Sequence, residues 1–223
     1  MRAGLKLEDL QRLYGRLARR YDRQHAFLTA GSDQRGRRLL VDMAVREADE
    51  VLDCGAGTGA TGLLAARKVG PQGRVTLFDL SDAMLAEARV KAISAGLLER
   101  IALQAGDMVH LPFADGRFDV VLSTYSLCPL YDPQRGALEL FRVTRPGGRM
   151  AVAHSTEPGN PLLRRLAAQL EDLAWHFPGL TMGCRPVEVL PVLEDAGGRV
   201  TFSRTLGVPL WPFRVFVVEK PVR

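Results

Sequence analysis

The 223-residue sequence contains no run of about 18 uncharged apolar residues, and its three cysteines form no CxxC pair. The first absence argues against a membrane span. Charged residues also interrupt the apolar positions near the N-terminus, which argues against a signal peptide. Cys54, Cys128 and Cys184 lie far apart in the sequence, so a disulfide framework or a zinc site has little support. We therefore expect reduced thiols, no metal and a cytoplasmic protein.

Basic residues are unevenly distributed in this chain, whose formal net charge is +5. The spacing of Leu10, Leu13 and Leu17 predicts a helix with one apolar face and arginines on the other. A solvated helix face is the favoured interpretation, and peripheral contact with an anionic membrane is the alternative. Arginines in and near the first fifth of the chain include Arg12, Arg16, Arg19, Arg20, Arg23, Arg35, Arg37, Arg38 and Arg46.

Short β-rich runs alternate with helical patterns along most of the chain. The β-rich runs are residues 50–54, 74–79, 100–105, 118–123, 149–154, 200–204 and 214–219. The helical patterns are residues 59–68, 82–95, 133–142 and 186–196. This alternation predicts an α/β protein with a doubly wound, mainly parallel seven-stranded sheet. The last two runs are too close in sequence for a helical crossover, which predicts an antiparallel edge strand.

We expect one domain over residues 1–223, because the composition is 47% hydrophobic and 25% charged, as in ordinary globular proteins. Within it, residues 1–48 are expected to form a helical cover over the strand ends. Residues 157–185 are interpreted as a lid-like insertion. Together with the tail around Trp211 and Phe213, this insertion is rich in aromatic and apolar residues, as a lid over a hydrophobic substrate would be.

A glycine-rich turn, Gly55-Ala56-Gly57-Thr58-Gly59, follows the first predicted strand. Such a turn lets a ligand approach the backbone at the carboxyl ends of the strands. The same residues satisfy a dinucleotide fingerprint, with Asp79 where a ribose-binding acid belongs, so an NAD-dependent oxidoreductase is one interpretation. Asp53 at the mouth of the turn, with no lysine or arginine nearby, disfavours a pyrophosphate.

A ligand with an ammonium and a sulfonium suits this acidic turn better, and S-adenosylmethionine (SAM) is such a ligand. Asp79 is placed to accept hydrogen bonds from the two ribose hydroxyls of SAM. After the third predicted strand, Gly106-Asp107-Met108 offers a carboxylate for the adenine amino group and a thioether to pack on the ring.

Four segments in order resemble the motifs of class I SAM-dependent methyltransferases: VLDCGAGTG, the FD at 78–79, the GDM at 106–108 and LELFRVTRPGG at 138–148. Within that class, RRYDRQ, LPFADGRFD and LFRVTRPGG resemble the ubiquinone/menaquinone biosynthesis C-methyltransferase group. The resemblance implies a Rossmann-like methyltransferase fold, SAM as cofactor and a small, lipophilic methyl acceptor such as a quinol. It implies cofactor contacts at Tyr21, Asp53, Gly55, Ala56, Gly57, Asp79, Leu80, Gly106, Asp107, Met108 and Ser123.

Two residues at strand ends are candidates for catalytic work. Tyr125 follows the fourth predicted strand and can hydrogen-bond an acceptor, and His154 ends the fifth, where a general base would stand. Both residues have packing as the alternative role. The sequence after the fourth strand, STYSLCPL, differs from the Gly-Leu-Arg-Asn character of the quinone enzymes, which leaves the acceptor open.

Several other functions stay open. Cys128 and Cys184 suggest a metalloid as the methyl acceptor, because related arsenic methyltransferases hold arsenic with thiolates. Buried structural cysteines are the simpler interpretation. A thiol, a phospholipid head group or a SAM-binding partner module without catalysis are further alternatives. Nucleic acid is disfavoured as a partner, because STYS stands where an NPPY-like tetrad would and no RNA-binding appendage is present.

Overall fold

The structure is a computed structural model that describes residues 4–29, 31–174 and 182–222. Within these residues the chain forms seven strands, eight α-helices and a short 3-10 helix at Leu98–Arg100. The strands are β1 (Glu50–Cys54), β2 (Arg74–Asp79), β3 (Ile101–Ala105), β4 (Phe118–Thr124), β5 (Thr144–Ser155), β6 (Arg199–Val208) and β7 (Trp211–Glu219). The helices are α1 (Leu7–Leu17), α2 (Tyr21–Leu28), α3 (Ser32–Ala44), α4 (Ala60–Lys68), α5 (Asp82–Ser94), α6 (Pro133–Val143), α7 (Pro161–Ala174) and α8 (Leu190–Asp195).

The strands form one sheet in the order β3-β2-β1-β4-β5-β7-β6. β1 to β5 pair in parallel, and β7 pairs antiparallel with both β5 and β6. The prediction of a doubly wound sheet with an antiparallel pair at one edge is therefore confirmed. In detail, β7 is the strand of reversed direction, and it lies one position inside the edge strand β6.

The central strands are buried on both faces, as strands of parallel sheets usually are. Val51, Leu52, Val120 and Leu122 have no exposed surface. Val51 and Val120 pack with α3, α4 and α5 residues on one face, and Leu52 packs with Phe118 and α6 residues on the other. This two-sided burial fixes the strand ends, and the loops that follow them build the site.

The N-terminal helices lie on this framework. α3 packs against β5, β7 and α4, while α1 packs against α5. Leu10 and Leu17 of α1 are buried and Arg12 and Arg16 are exposed, which agrees with the predicted division of the helix into two faces. Arg37 differs from the other arginines of these N-terminal helices. It is only 4% exposed, because its position in α3 faces the sheet and the loop after β4.

Most predicted elements match the structure to within a residue or two at their ends, and four do not. β5 begins at Thr144 instead of 149, and β6 and β7 extend toward each other until only residues 209–210 join them. The helix predicted over 186–196 begins only at Leu190. The backbone N–H groups of Arg185 and Val187 donate to carbonyls of neighbouring loops, at Cys128 and Ser155, so this segment follows those loops instead of starting a helix.

The predicted insertion over 157–185 is described in part. Its first half contains α7, and residues 175–181, which include Trp175, His176 and Phe177, lie outside the described residues. Among the residues that are described, none of the helices is long and apolar enough to cross a membrane.

Candidate functional site

A cavity that is partly open to solvent, with about 740 Å³ of empty space, lies at the carboxyl ends of β1 to β4, beneath α1 and α2. Loops after four strands meet there because parallel strands all end at the same edge of the sheet. Of the residues implied as cofactor contacts, those that line this cavity are Tyr21, Gly55, Ala56, Gly57, Asp79, Leu80, Gly106, Asp107 and Met108.

Asp79 ends β2 at the wall of this first cavity. Its Oδ2 accepts a hydrogen bond from the Gly57 N–H at 2.7 Å, and its Oδ1 accepts from the Ser81 N–H at 2.9 Å. Burial raises the pKa of Asp79, and these backbone donors oppose that rise. Each carboxylate oxygen has two acceptor positions, so the side chain can still accept from a pair of ligand hydroxyls.

Asp107 occupies the opposite part of the first cavity. Its Oδ1 accepts from the Val109 N–H at 3.0 Å, and its Oδ2 accepts from the Tyr131 hydroxyl at 2.6 Å. Desolvation and the bond to this carboxylate raise the pKa of Tyr131 to about 12. The adjacent Met108 thioether is buried in the same wall, beside Phe78. This corner therefore combines one charged acceptor with an apolar surface.

The glycine-rich turn fits closely against the loop after β4. Gly55 has a φ of +72°, and a Cβ added there would lie 2.2 Å from the Cβ of Ser126. Both the backbone conformation and the space require glycine. Gly57, at φ +55°, has nothing within 4 Å of such a Cβ, so the backbone there is open to a ligand.

Asp53 and Ser123 do not line the first cavity. Asp53 is completely buried, and burial raises its pKa to about 7, so the neutral form is well populated near pH 7. The carboxylates that line this cavity are those of Asp79 and Asp107, which corrects the expectation that Asp53 lies at the mouth of the turn. Ser123 reaches the cavity indirectly, because its Oγ lies 2.6 Å from Oγ of the lining residue Ser126.

The first cavity is also lined by residues that the sequence did not single out, and among the polar ones are Tyr14, Arg37 and Ser126. Tyr14 lies on the apolar face of α1 and donates its hydroxyl to the Met182 carbonyl at 2.9 Å, so the helical spacing could have revealed it. Arg37 donates to the hydroxyls of Thr124 at 2.6 Å and Thr61 at 2.8 Å. No local pattern distinguishes it from the exposed arginines around it.

A second cavity, of about 610 Å³, adjoins the first. Its lining is mainly apolar and aromatic, and includes Phe213, Trp211, Met182 and Leu28. Tyr125 lines both cavities and so forms part of the wall between them.

The position of Tyr125 is fixed by its backbone. Its φ is +61°, a conformation that a bulky residue rarely adopts, and its N–H donates to the Ala153 carbonyl at 2.7 Å. The ring packs edge-on against Phe213, with centroids 4.9 Å apart. Strained residues of this kind concentrate at ligand sites.

His25 is the titratable side chain that faces the second cavity from α2. Its Nδ1 lies 3.1 Å from Asp33 Oδ2, and its ring stacks on Tyr21 at a centroid distance of 5.3 Å. Burial lowers the pKa of His25 and outweighs the opposing effect of the Asp33 carboxylate. Burial also opposes ionisation of Asp33, but the interactions with His25 and Arg37 hold the pKa of that carboxyl well below its usual range.

The structure does not bring His154 to either cavity. The side chain has no exposed surface, its Nδ1 donates to the Ser155 carbonyl at 2.9 Å, and its ring packs edge-on against Phe216. Its place on β5 points it into the core, which sequence position alone did not show. His110 is exposed and lines neither cavity.

Cys128 and Cys184 come together at the second cavity, with their sulfur atoms 2.8 Å apart. Neither cysteine forms a disulfide, and both are buried. In the described part of the chain, no group of three or more histidine, cysteine, aspartate or glutamate side chains is arranged to hold a metal ion.

Comparisons with known proteins agree with this arrangement. The sequence model described as "Methyltransferase domain" matches residues 46–196. This chain belongs to the methyltransferase domain family. It is 32% identical over 162 residues to a ubiquinone/menaquinone biosynthesis C-methyltransferase, UbiE, of Ectopseudomonas mendocina, an alignment that covers 72% of this chain and 63% of the relative. It is 30% identical over 158 residues to a demethylmenaquinone methyltransferase of Lactobacillus johnsonii, covering 70% of this chain and 65% of the relative. The chain thus spans slightly less than two thirds of these curated relatives.

Solved structures of the same fold include enzymes of different chemistry. A SAM-dependent methyltransferase from Aquifex aeolicus is 22% identical, with a TM-score of 0.57 over 82% of this chain and 88% of that one. The [4+2]-cyclase SpnF is 20% identical, with a TM-score of 0.68 over 85% of this chain and 81% of that one. These likenesses support the fold, and the reaction has to be argued from the site.

Proposed function

We propose that this protein is a SAM-dependent methyltransferase that binds SAM in the first cavity and a small, lipophilic acceptor of the quinol type in the second. The observation that carries the proposal is the shared wall at Tyr125. On one side lies a cavity that combines two carboxylates at strand ends with apolar side chains, and on the other lies a cavity lined mainly by apolar and aromatic groups. A methyl donor and a lipophilic acceptor need this division and this proximity, because methyl transfer is an in-line displacement between aligned groups.

The first cavity fits SAM by the chemistry of its donors and acceptors. Asp79 would accept hydrogen bonds from the ribose hydroxyls and Asp107 from the adenine amino group, while Met108 would pack on the purine. The open backbone at Gly57 permits close approach by the amino-acid end. The two carboxylates also suit a ligand with an ammonium and a sulfonium. When bound, SAM supplies an activated methyl group on its sulfonium sulfur.

The second cavity suits an aromatic, apolar acceptor. Phe213, Trp211 and Met182 offer ring faces and a thioether, and few polar groups interrupt them. A quinol meets both requirements, because its ring is apolar and its hydroxyls can reach polar groups at the rim. The names of the two curated relatives, which refer to quinone methylation, support the same acceptor class.

His25 is the side chain that we assign as general base. A phenolic hydroxyl becomes a better nucleophile, at oxygen or at a ring carbon, when its proton is removed. The lowered pKa keeps the imidazole neutral near pH 7, and the bond from Nδ1 to Asp33 leaves Nε2 to take the acceptor's proton. Asp33 acts as a positioning residue, because it fixes the ring and stabilises the imidazolium that forms. Tyr125 holds the acceptor beside the methyl donor.

Two helices cover part of the first cavity and would limit the access of water to it. Tyr14 of α1 and Tyr21 of α2 line the cavity, and the Tyr14 hydroxyl bonds to the Met182 carbonyl, which belongs to the wall of the second cavity. This hydrogen bond links the covers of the two cavities. We propose that the exposed arginines of these helices contact an anionic membrane from which a lipophilic acceptor is drawn.

A metalloid is the second candidate acceptor, and one observation favours it. Cys128 and Cys184, which are 56 residues apart, present two sulfur atoms 2.8 Å apart at the second cavity. Two thiols bind arsenous acid through two As–S bonds and release two water molecules, because each thiol proton leaves with one hydroxyl group of the arsenic. The acceptor would then lie beside the same Tyr125 wall.

The test combines binding and product analysis. Titration calorimetry should detect SAM binding by the full chain, and mass spectrometry should then identify the methylated product from a pool of demethylquinols, thiols, phospholipids and arsenite. A methylated quinol supports the proposal. A methylated arsenical supports the second candidate. SAM binding without any product favours a partner module, and absence of SAM binding contradicts the assignment of the first cavity.

A further inference from the structure

Cys128 and Cys184 are brought together by parts of the chain that are distant in sequence. Cys128 follows β4 in the loop that carries Tyr125, and Cys184 precedes α8. Their sulfur atoms are 2.8 Å apart, between a bonded disulfide distance of about 2.05 Å and an ordinary contact. Cys54, the third cysteine, is buried at the end of β1 and is not among the residues that line the second cavity.

Arg185 holds the two segments together without a covalent bond. Its guanidinium donates to the carbonyls of Cys128 at 3.1 Å and Leu130 at 2.8 Å, and the side chain is only 5% exposed. The neighbouring backbone N–H of Arg185 also points to the Cys128 carbonyl. The sulfur atoms therefore face each other on segments that are already fixed, so little further ordering is needed to join them.

The surroundings of the pair differ at the two sulfur atoms. Burial opposes ionisation of Cys128, but hydrogen bonding with Cys184 and Ser155 outweighs it and lowers the pKa of that thiol. The bond to Cys128 and burial raise the pKa of Cys184. Cys128 is thus the nucleophilic member and Cys184 the member that keeps its proton, which is the division that a disulfide-forming pair requires.

We infer that Cys128 and Cys184 form a reversible disulfide when a small peroxide enters the second cavity, and that this bond controls the cavity. The Cys128 thiolate attacks one oxygen of hydrogen peroxide, the O–O bond breaks, and the leaving hydroxide takes up a proton as water. The Cys184 thiol then attacks the sulfenic sulfur and a second water leaves. Two thiols are oxidised, and one peroxide is reduced to two waters.

The bond would change the wall of the acceptor cavity directly, because both sulfur atoms line it. It would also join the Tyr125 loop covalently to the segment of Met182, which lines the same cavity. Control of methyl transfer by this bond rests on the proposed function, whereas formation of the bond does not. The first cavity does not include either thiol, so SAM binding should be unaffected.

The first experiment treats the full chain with hydrogen peroxide, blocks free thiols with N-ethylmaleimide and maps peptides without reduction. We expect one disulfide, between Cys128 and Cys184, that dithiothreitol reverses and that also forms in Cys54→Ala. In Cys184→Ser, the oxidation should stop at a sulfenic acid on Cys128 that dimedone labels. Disulfides that involve Cys54, or three thiols that react alike, would overturn the inference.

The second experiment measures function on the same oxidised sample. Methyl transfer to the acceptor found in the product screen should fall by about tenfold and recover with dithiothreitol, while SAM affinity stays within about twofold. Unchanged transfer by fully oxidised protein would overturn control of the cavity. If the reduced protein transfers no methyl group, the proposed function fails, and the peptide map still decides whether the disulfide forms.

Discussion

The Nδ1 atom of His25 lies 3.1 Å from Oδ2 of Asp33, and both side chains are buried beside the second cavity. The two residues belong to consecutive helices, α2 and α3, and are eight positions apart in the sequence. The Asp33 carboxylate also accepts from the Thr29 hydroxyl at 2.9 Å, and the Arg37 guanidinium lies nearby. This network fixes the orientation of the ring, as second partners of catalytic histidines generally do.

We predict that His25→Gln lowers kcat for methyl transfer to a hydroxyl-bearing acceptor by about 10²- to 10⁴-fold, because the base is lost. Since the pKa of His25 is lowered, wild-type activity should rise with pH below about 6.5 and be level above it. This rise of activity with pH should disappear in His25→Gln. Stopped assays over pH 5 to 9 measure both effects, and SAM affinity should stay within about twofold.

The matched control is His110→Gln, because His110 is exposed and lines neither cavity. Asp33→Asn tests the positioning role of this residue, because the substitution keeps the size of the side chain and removes its charge. Loss of the carboxylate should move the acidic limb of the pH profile to lower pH, because the imidazolium loses its partner. A profile identical to that of the wild type in both His25→Gln and Asp33→Asn would contradict the assignment of the base.

Asp79 should contribute most of the affinity for the ribose of SAM. We predict that Asp79→Ala weakens SAM binding by about 1.5–3 kcal/mol, because charge-assisted hydrogen bonds are lost. Titration calorimetry measures the change. Asp195→Asn is the control, since it is exposed at the end of α8 and lies outside both cavities. Equal affinities in the wild type and Asp79→Ala would disprove the role of this carboxylate.

The predictable parts of this protein are those written in short stretches of sequence. Strand and helix alternation predicted the sheet, and the turn at Gly55 with the acids at Asp79 and Asp107 predicted residues that the structure places around one cavity. His25 and Arg37 were not recognised, because their importance comes from contacts with residues that other elements supply. His154 was selected as a candidate from its sequence position, but the structure does not place it at the site. Its position at a strand end is visible in the sequence, but its direction into the core is not.

Asp53 should make folding stability depend on pH. Burial raises its pKa from 3.8 to about 7 in the folded protein, so folding favours the protonated form. The stability from this group is full below about pH 4 and is lost as pH rises through about 7. We predict that the wild type loses on the order of 3–4 kcal/mol over this range through Asp53, and that Asp53→Asn removes this part of the pH dependence.

Urea unfolding at several pH values between 4 and 8 measures this effect as the free energy of unfolding. Asp115→Asn serves as the control, because Asp115 is exposed. The pKa of Asp33 is lowered in the folded protein, so its contribution to stability changes with pH in the opposite sense. The quantity to compare is therefore the difference in the free energy of unfolding between the wild type and Asp53→Asn at each pH. A difference that does not vary with pH would show that Asp53 ionises normally.

The basic face of the N-terminal helices provides the test of membrane contact. Arg16, Arg19 and Arg20 are exposed, and each should contribute about 1 kcal/mol to binding at an anionic surface. Reversal of all three charges to glutamate should therefore abolish cosedimentation with phosphatidylserine vesicles at low salt. The control reverses Arg67, Arg74 and Arg89, which are exposed on other helices and strands and give the same net charge. If both triple variants sediment like the wild type, these arginines form a solvated face. If both lose binding equally, net charge alone attracts the protein to the vesicles.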